Sequence, residues 1–97
     1  MSKSVSTIVE GVIKGYGELF ESSSSDFKKQ GVIVTTNEQY PQMHEIVFVK
    51  DKIDLLDMFS EGQSVKISCN VRGREWISPK GDARYFTTLE GWKIEAL

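Results

Sequence analysis

Val65-Lys66-Ile67-Ser68-Cys69-Asn70-Val71-Arg72-Gly73-Arg74-Glu75-Trp76 interleaves two sets of residues that require opposite surroundings. Val65, Ile67, Cys69 and Val71 recur at every second position, so in an extended chain they share one face and belong against a core. Lys66, Ser68, Asn70, Arg72, Arg74 and Trp76 have the other parity and point away from it. This alternation predicts a strand and places two guanidinium groups and an indole on its solvated side. A wet indole is a large apolar surface that a partner or a neighbouring strand must cover. Packing on the opposite arm of a hairpin would satisfy Trp76 as a cross-strand pair. The two arginines favour a partner, because planar permanent charges beside an aromatic ring offer phosphate contact and base stacking together.

The elements around this strand define the fold. Residues 1–6 are small and polar and read as a flexible arm. From Ile8 to Phe20 the apolar spacing is compatible with a helix, but Gly11, Gly15 and Gly17 each cost about 1 kcal/mol in a helix interior and suit the kinks of a curved strand. The serines of 21–26 form a hairpin loop, and Val32-Ile33-Val34-Thr35-Thr36 is a β-branched second strand entered through Lys28 and Lys29. A third strand over 45–50 is apolar on both faces. Ile53, Leu55, Leu56 and Phe59 then form a helical stripe, with Asp51 placed to cap it and Ser60-Glu61-Gly62 to end it. Beyond Trp76, Ser78-Pro79-Lys80-Gly81 has proline early and glycine late, as a tight turn requires. The last strand returns through Arg84, Tyr85 and Phe86, with a bulge expected at Gly91 before Trp92 and Ile94. Tyr85 and Phe86 are adjacent and face opposite ways, so one of them is expected in the core.

Three strands, a short helix and two strands is the order of the oligonucleotide/oligosaccharide-binding (OB) barrel. The expectation is therefore an all-β fold with one short helix between strands three and four, a single five-stranded OB domain over residues 1–97. In that architecture ligands meet strands two and three and the loops joining strands one to two and four to five. The Arg-Trp hairpin is one of those loops.

Composition narrows the function. Ninety-seven residues are enough for one core. The net charge of -2 supplies no global attraction to nucleic acid or membrane. Locally the balance reverses, since Lys66 to Arg84 holds five cations, Lys66, Arg72, Arg74, Lys80 and Arg84, against Glu75 and Asp82. Cys69 is the single cysteine, so no internal disulfide forms, and its inward parity makes it a small buried hydrophobe suited to a reducing compartment. The chain shows no leader or membrane-spanning run, and a cytoplasmic location, in a bacterial or phage-infected cell, is expected. His44 stands without a ligand partner at metal spacing, and no nucleophile and base are related by any motif, so neither catalysis nor a cofactor is expected. Asp51, Asp54 and Asp57 read as a solvated helix face rather than a cation site.

The residues then resemble a family. Gly62-x-x-Val65-x-Ile67, Val71-Arg72-x-Arg74-x-Trp76 and Gly81-x-x-Arg84-Tyr85-x-Thr87, spanning residues 62–88, resemble the second half of bacterial single-stranded DNA-binding proteins. The resemblance implies that Trp76 stacks on DNA, that Arg72 and Arg74 hold its backbone, and that the protein assembles into dimers or tetramers. The first half departs from that family, and the acidic tail by which the family recruits replication partners has no counterpart here. Lys28-Lys29-Gln30, Glu38-Gln39-Tyr40-Pro41, Asp51-Lys52-Ile53-Asp54-Leu55-Leu56 and Trp92-Lys93-Ile94 are also similar to a small family of uncharacterised bacterial barrel proteins.

The functional expectation is sequence-independent binding of single-stranded DNA, with RNA as an alternative, in replication, recombination or repair. Trp76 stacks, with Tyr85 or Phe86 beside it, while Arg72, Arg74, Lys66, Lys80, Arg84, Lys28 and Lys29 meet phosphates. No membrane or small-molecule partner is expected. The rival reading is a protein-interaction barrel whose exposed Trp/Arg hairpin contacts another subunit.

Overall fold

In the computed structural model, which describes residues 5–97, six strands and one short helical segment form the fold. The strands are β1 (Ser6–Tyr16), β2 (Phe20–Glu21), β3 (Lys28–Thr36), β4 (Met43–Val49), β5 (Ser64–Ile77) and β6 (Ala83–Ala96), with the helical segment at Lys50–Met58. The five long strands close into a ring. β1 pairs with β5, β5 with β6, β6 with β4, β4 with β3, and β3 returns to β1. All contacts are antiparallel except β4–β6, where Ile46 opposes Leu89 and Val47 opposes Glu90 in parallel. This is the expected OB-type barrel, with its helical segment between the third and fourth long strands.

Closure depends on β1, which serves two neighbours. Its first half pairs with β5 and its second half with β3, with a break in register between Ile13 and Gly15. The bend needs close backbone approach at Gly11, where a Cβ would collide with the Thr35 carbonyl. The glycines therefore bend a strand here. β1 ends at Tyr16, short of the expected Phe20, and Phe20–Glu21 pairs separately with Lys28–Lys29 of β3.

Ile13, Val32, Val34, Ile46, Phe48, Val65, Ile67 and Cys69 are sealed inside the ring, and Ile53 and Leu56 of the helical segment close it from below. Val65, Ile67 and Cys69 thus face inward as their alternation requires, whereas Val71 is only half-buried because β5 is leaving the barrel there. The helical segment is 3₁₀, not α, and Val49 rather than Asp51 sits at its cap position, with no side-chain capping bond. Lys50, the first helical residue, has a positive φ of 51°, so the chain turns sharply out of β4 and enters the helix two residues too early for Asp51 to cap it. Tyr16 ties the segment to β1, its hydroxyl donating to the Phe59 carbonyl at 3.0 Å.

The expected bulge lies beside Gly91. Ser68 opposes Lys93 and Cys69 opposes Gly91, so Trp92 is the unpaired extra residue. Gly91 itself is pressed against Phe48, whose ring carbon would lie 2.5 Å from any added Cβ. Of the expected N-terminal arm, residues 1–4 lie outside the described residues. Ser6 already pairs with Asn70, and the Val5 carbonyl accepts the Val71 N–H at 2.7 Å.

Candidate nucleic-acid interface

Past Val71, β5 and β6 continue together as a two-stranded arm that contributes nothing to the sealed core. Its tip is the expected turn. Gly81 takes a φ of 90°, its N–H donates to the Ser78 carbonyl at 2.9 Å, and the Ser78 N–H donates to Asp82 at 2.8 Å. Directly opposed residues in an antiparallel pair share a face. Arg72 opposes Thr88, Arg74 opposes Phe86, and Trp76 opposes Arg84, so three arginines, an indole and a phenyl ring lie on one side of the arm. Glu75 opposes Tyr85 and Ile77 opposes Ala83 on the other.

That pairing resolves the choice between the two adjacent aromatics and corrects one expectation. Neither ring is core: Tyr85 is 73% exposed and Phe86 45% exposed. The arm projects beyond the barrel, so both of its faces are wet. Phe86 is the ring on the cationic face, and the Arg74 guanidinium lies 5.6 Å from its centroid, within cation–π range.

Arg72, Arg74, Phe86, Thr87, Thr88 and Glu90 form one wall of an open groove of about 610 Å³. The other wall is the outer surface of β3 and β4, where Lys29, Glu45, Val47 and Val49 project. Those four have the parity opposite to buried Val32, Ile46 and Phe48, so the alternation that builds the core also builds the groove. Trp76, 48% exposed, lines an adjoining concavity of about 570 Å³ at the tip with Ser78, Pro79, Lys80, Asp82 and Arg84. Arg72 is partly answered by Glu90, Nε to carboxylate 3.7 Å, at an exposed position where such pairs are weak. The groove thus holds Lys29, Arg72 and Arg74 against Glu45 and Glu90.

Two expected cations stand elsewhere. Lys66 lies on the barrel portion of β5, opposite Glu10 on one side and Glu95 on the other. Lys93 donates to Glu95 at 2.8 Å, and this bond, its charge and that of Lys66 hold the Glu95 carboxyl below its ordinary range. Lys66 therefore serves an acidic neighbourhood six residues from Arg72, about 20 Å along an extended strand. Lys28 points away from Lys29 and lines a hollow with Glu21, Asp26 and Asp51. Glu45, Val47, Val49, Thr88 and Glu90 were not singled out from the sequence. Their signal was the 45–47–49 alternation, hidden because β4 reads as apolar on both faces.

Among the described residues no helix is long and apolar enough to cross a membrane, and no three His, Cys, Asp or Glu side chains cluster as metal ligands would. The fold is similar to that of the mitochondrial single-stranded DNA binding protein Rim1 from S. cerevisiae in its crystal structure, with a TM-score of 0.73 at 14% identity, covering 99% of this chain and 97% of that one. At that identity the likeness is one of fold. No curated protein matches the chain. A family model described as a domain of unknown function, DUF3127, matches residues 8–95, almost the whole length, and the chain belongs to that family.

Proposed function

We propose that this protein binds single-stranded DNA without sequence preference, as a non-enzymatic component of replication, recombination or repair in the cytoplasm. The observation that carries the reading is the shared face of the arm: Arg72, Arg74, Trp76, Arg84 and Phe86 project from one side of a hairpin that overhangs an open groove. Stacking on Trp76 and Phe86 supplies affinity that every base can provide, about 1 to 3 kcal/mol per base, and the guanidinium groups track the phosphates. Lys29 extends the cationic track on the far wall, and Lys80 extends it at the tip. Lys28, Lys66 and Tyr85 fall outside the track.

Titrating oligo(dT) while following tryptophan emission tests the reading. The expected result is quenching that added salt reverses. An emission and anisotropy signal unchanged at micromolar protein overturns it, and a parallel titration with oligo(U) measures the DNA against RNA preference.

A second surface favours self-association. Ile8 and Trp92 are 54% and 43% exposed, Ile8 opposite Ser68 and Trp92 in the β6 bulge next to the Ser68–Lys93 pair, and neither lines the groove. A homo-oligomer formed through that surface leaves the arm free. Light scattering on Ile8→Glu should then report a monomer, while a wild type that is monomeric at micromolar concentration removes this part.

A further inference from the structure

We propose that Phe20 and Lys29 form a second base-stacking station on the wall of the groove opposite Phe86 and Arg74, so that a bound strand crosses β4 from one ring to the other. The inference rests on the nucleic-acid reading and deepens it.

Phe20 belongs to β2, a two-residue strand that holds on to β3 and nothing else. It opposes Lys29, and Lys29 opposes Val49, so the three side chains form a row across β2, β3 and β4 on the outer surface. The Lys29 ammonium sits 5.6 Å from the Phe20 centroid, the same separation as between Arg74 and Phe86. Lys29 lines the groove, and Phe20, beside it on β2, has half of its surface open to water. Each side of the groove therefore has a ring with a cation over it, and Glu45, Val47 and Val49 project from β4 between them.

A ring and cation held together fit one nucleotide, the ring taking the base and the cation its phosphate. Two such pairs, one on each side of β4, fit a strand longer than a dinucleotide. From β2 to β6 there are three inter-strand steps, about 14 Å across the sheet, and the parallel register of β4 and β6 sets Phe86 six residues further along the strand direction. Stacked bases are spaced only about 3.4 Å apart, so a dinucleotide reaches one station and a longer oligomer reaches both.

The test uses oligo(dT) of increasing length on the full chain. Affinity of the wild type should keep rising from roughly three to roughly eight nucleotides, within the usual site size of one such barrel. Phe20→Leu keeps the apolar bulk but loses the aromatic face, and should bind the longer oligomer about fivefold to a hundredfold less tightly while the trimer changes far less. Phe20→Trp should restore the longer oligomer. A purely structural role for Phe20 would instead lower the thermal midpoint and weaken all lengths alike. An unchanged affinity in Phe20→Leu for the longer oligomer overturns the station, whereas failure of the wild type to bind any length overturns the underlying reading.

Discussion

Trp76 is separable from the fold because it stands on an arm that covers no core. Trp76→Ala should weaken oligo(dT) binding by about 1 to 3 kcal/mol with an unaltered thermal melt, measured by anisotropy and circular dichroism on the same sample. A lost cooperative transition would place the indole among the structural residues. Ile67 is the contrast, fully sealed between β1 and β6 in the ring. Ile67→Asp buries an unpaired charge and should abolish the cooperative melt. Gly91→Ala pushes a methyl group into the Phe48 ring. Overpacking of that kind costs about 1 to 3 kcal/mol, read as a lower urea midpoint at constant slope. Glu90 acts in the opposite direction, since Glu90→Gln releases Arg72 from an exposed pair. Oligonucleotide affinity should rise modestly, by less than about tenfold, and a fall in affinity would show that Glu90 positions Arg72 rather than competing for it.

The arm formed by β5 and β6 is an addition to the barrel, not a part of its stability. No residue between Arg72 and Thr88 is buried, while Val65, Ile67 and Cys69 immediately before it are sealed. Replacing residues 73–87 by a two-residue Asn-Gly turn should therefore leave a folded barrel that melts cooperatively but no longer quenches on oligo(dT). Loss of the cooperative melt in that variant would tie the arm to the core. The helical segment has the reverse balance: Ile53 and Leu56 close the barrel, and its three aspartates stay at the surface.

For the molecule as a whole, charge and proton binding set two measurable behaviours. With a net charge of -2, attraction to nucleic acid must come from the arm and groove. Three to five phosphate contacts predict a slope of log affinity against log salt of about -2 to -3.5 for a single strand. A flat dependence would remove the phosphate contacts from the account. Stability should also fall in alkali. Burial pushes the Cys69 thiol up, and burial together with the Glu61 and Asp57 carboxylates pushes the Tyr16 phenol up. Both groups keep protons in the fold that the unfolded chain releases above its ordinary values, about 8.5 and about 10. Their contribution is complete below those values and is lost as pH rises from them through the raised values of the fold. The urea midpoint should decline from about pH 8 upward, and Cys69→Ala should flatten the first part of that decline.

Strand-level order was legible in the chain because a period of two residues needs no knowledge of neighbours. The alternation from Val65 to Cys69, the β-branched run at 32–36 and the Pro79–Gly81 turn all lie where their local chemistry directs. So does the helical segment between the third and fourth long strands, though its 3₁₀ geometry and missing side-chain cap depend on how sharply the chain leaves β4. Which cations meet was not legible. Lys66 and Arg72 share a parity, yet one faces Glu10 and Glu95 and the other overhangs a groove, because closing the ring assigns each stretch of β5 different partners. The exposure of both Tyr85 and Phe86 has the same origin: parity orients a side chain relative to its strand, but the distance at which that strand leaves the barrel sets whether anything covers it. Glu45 and Glu90 joined the groove through pairings made when the ring closes, and such pairings follow from closure of the whole sheet.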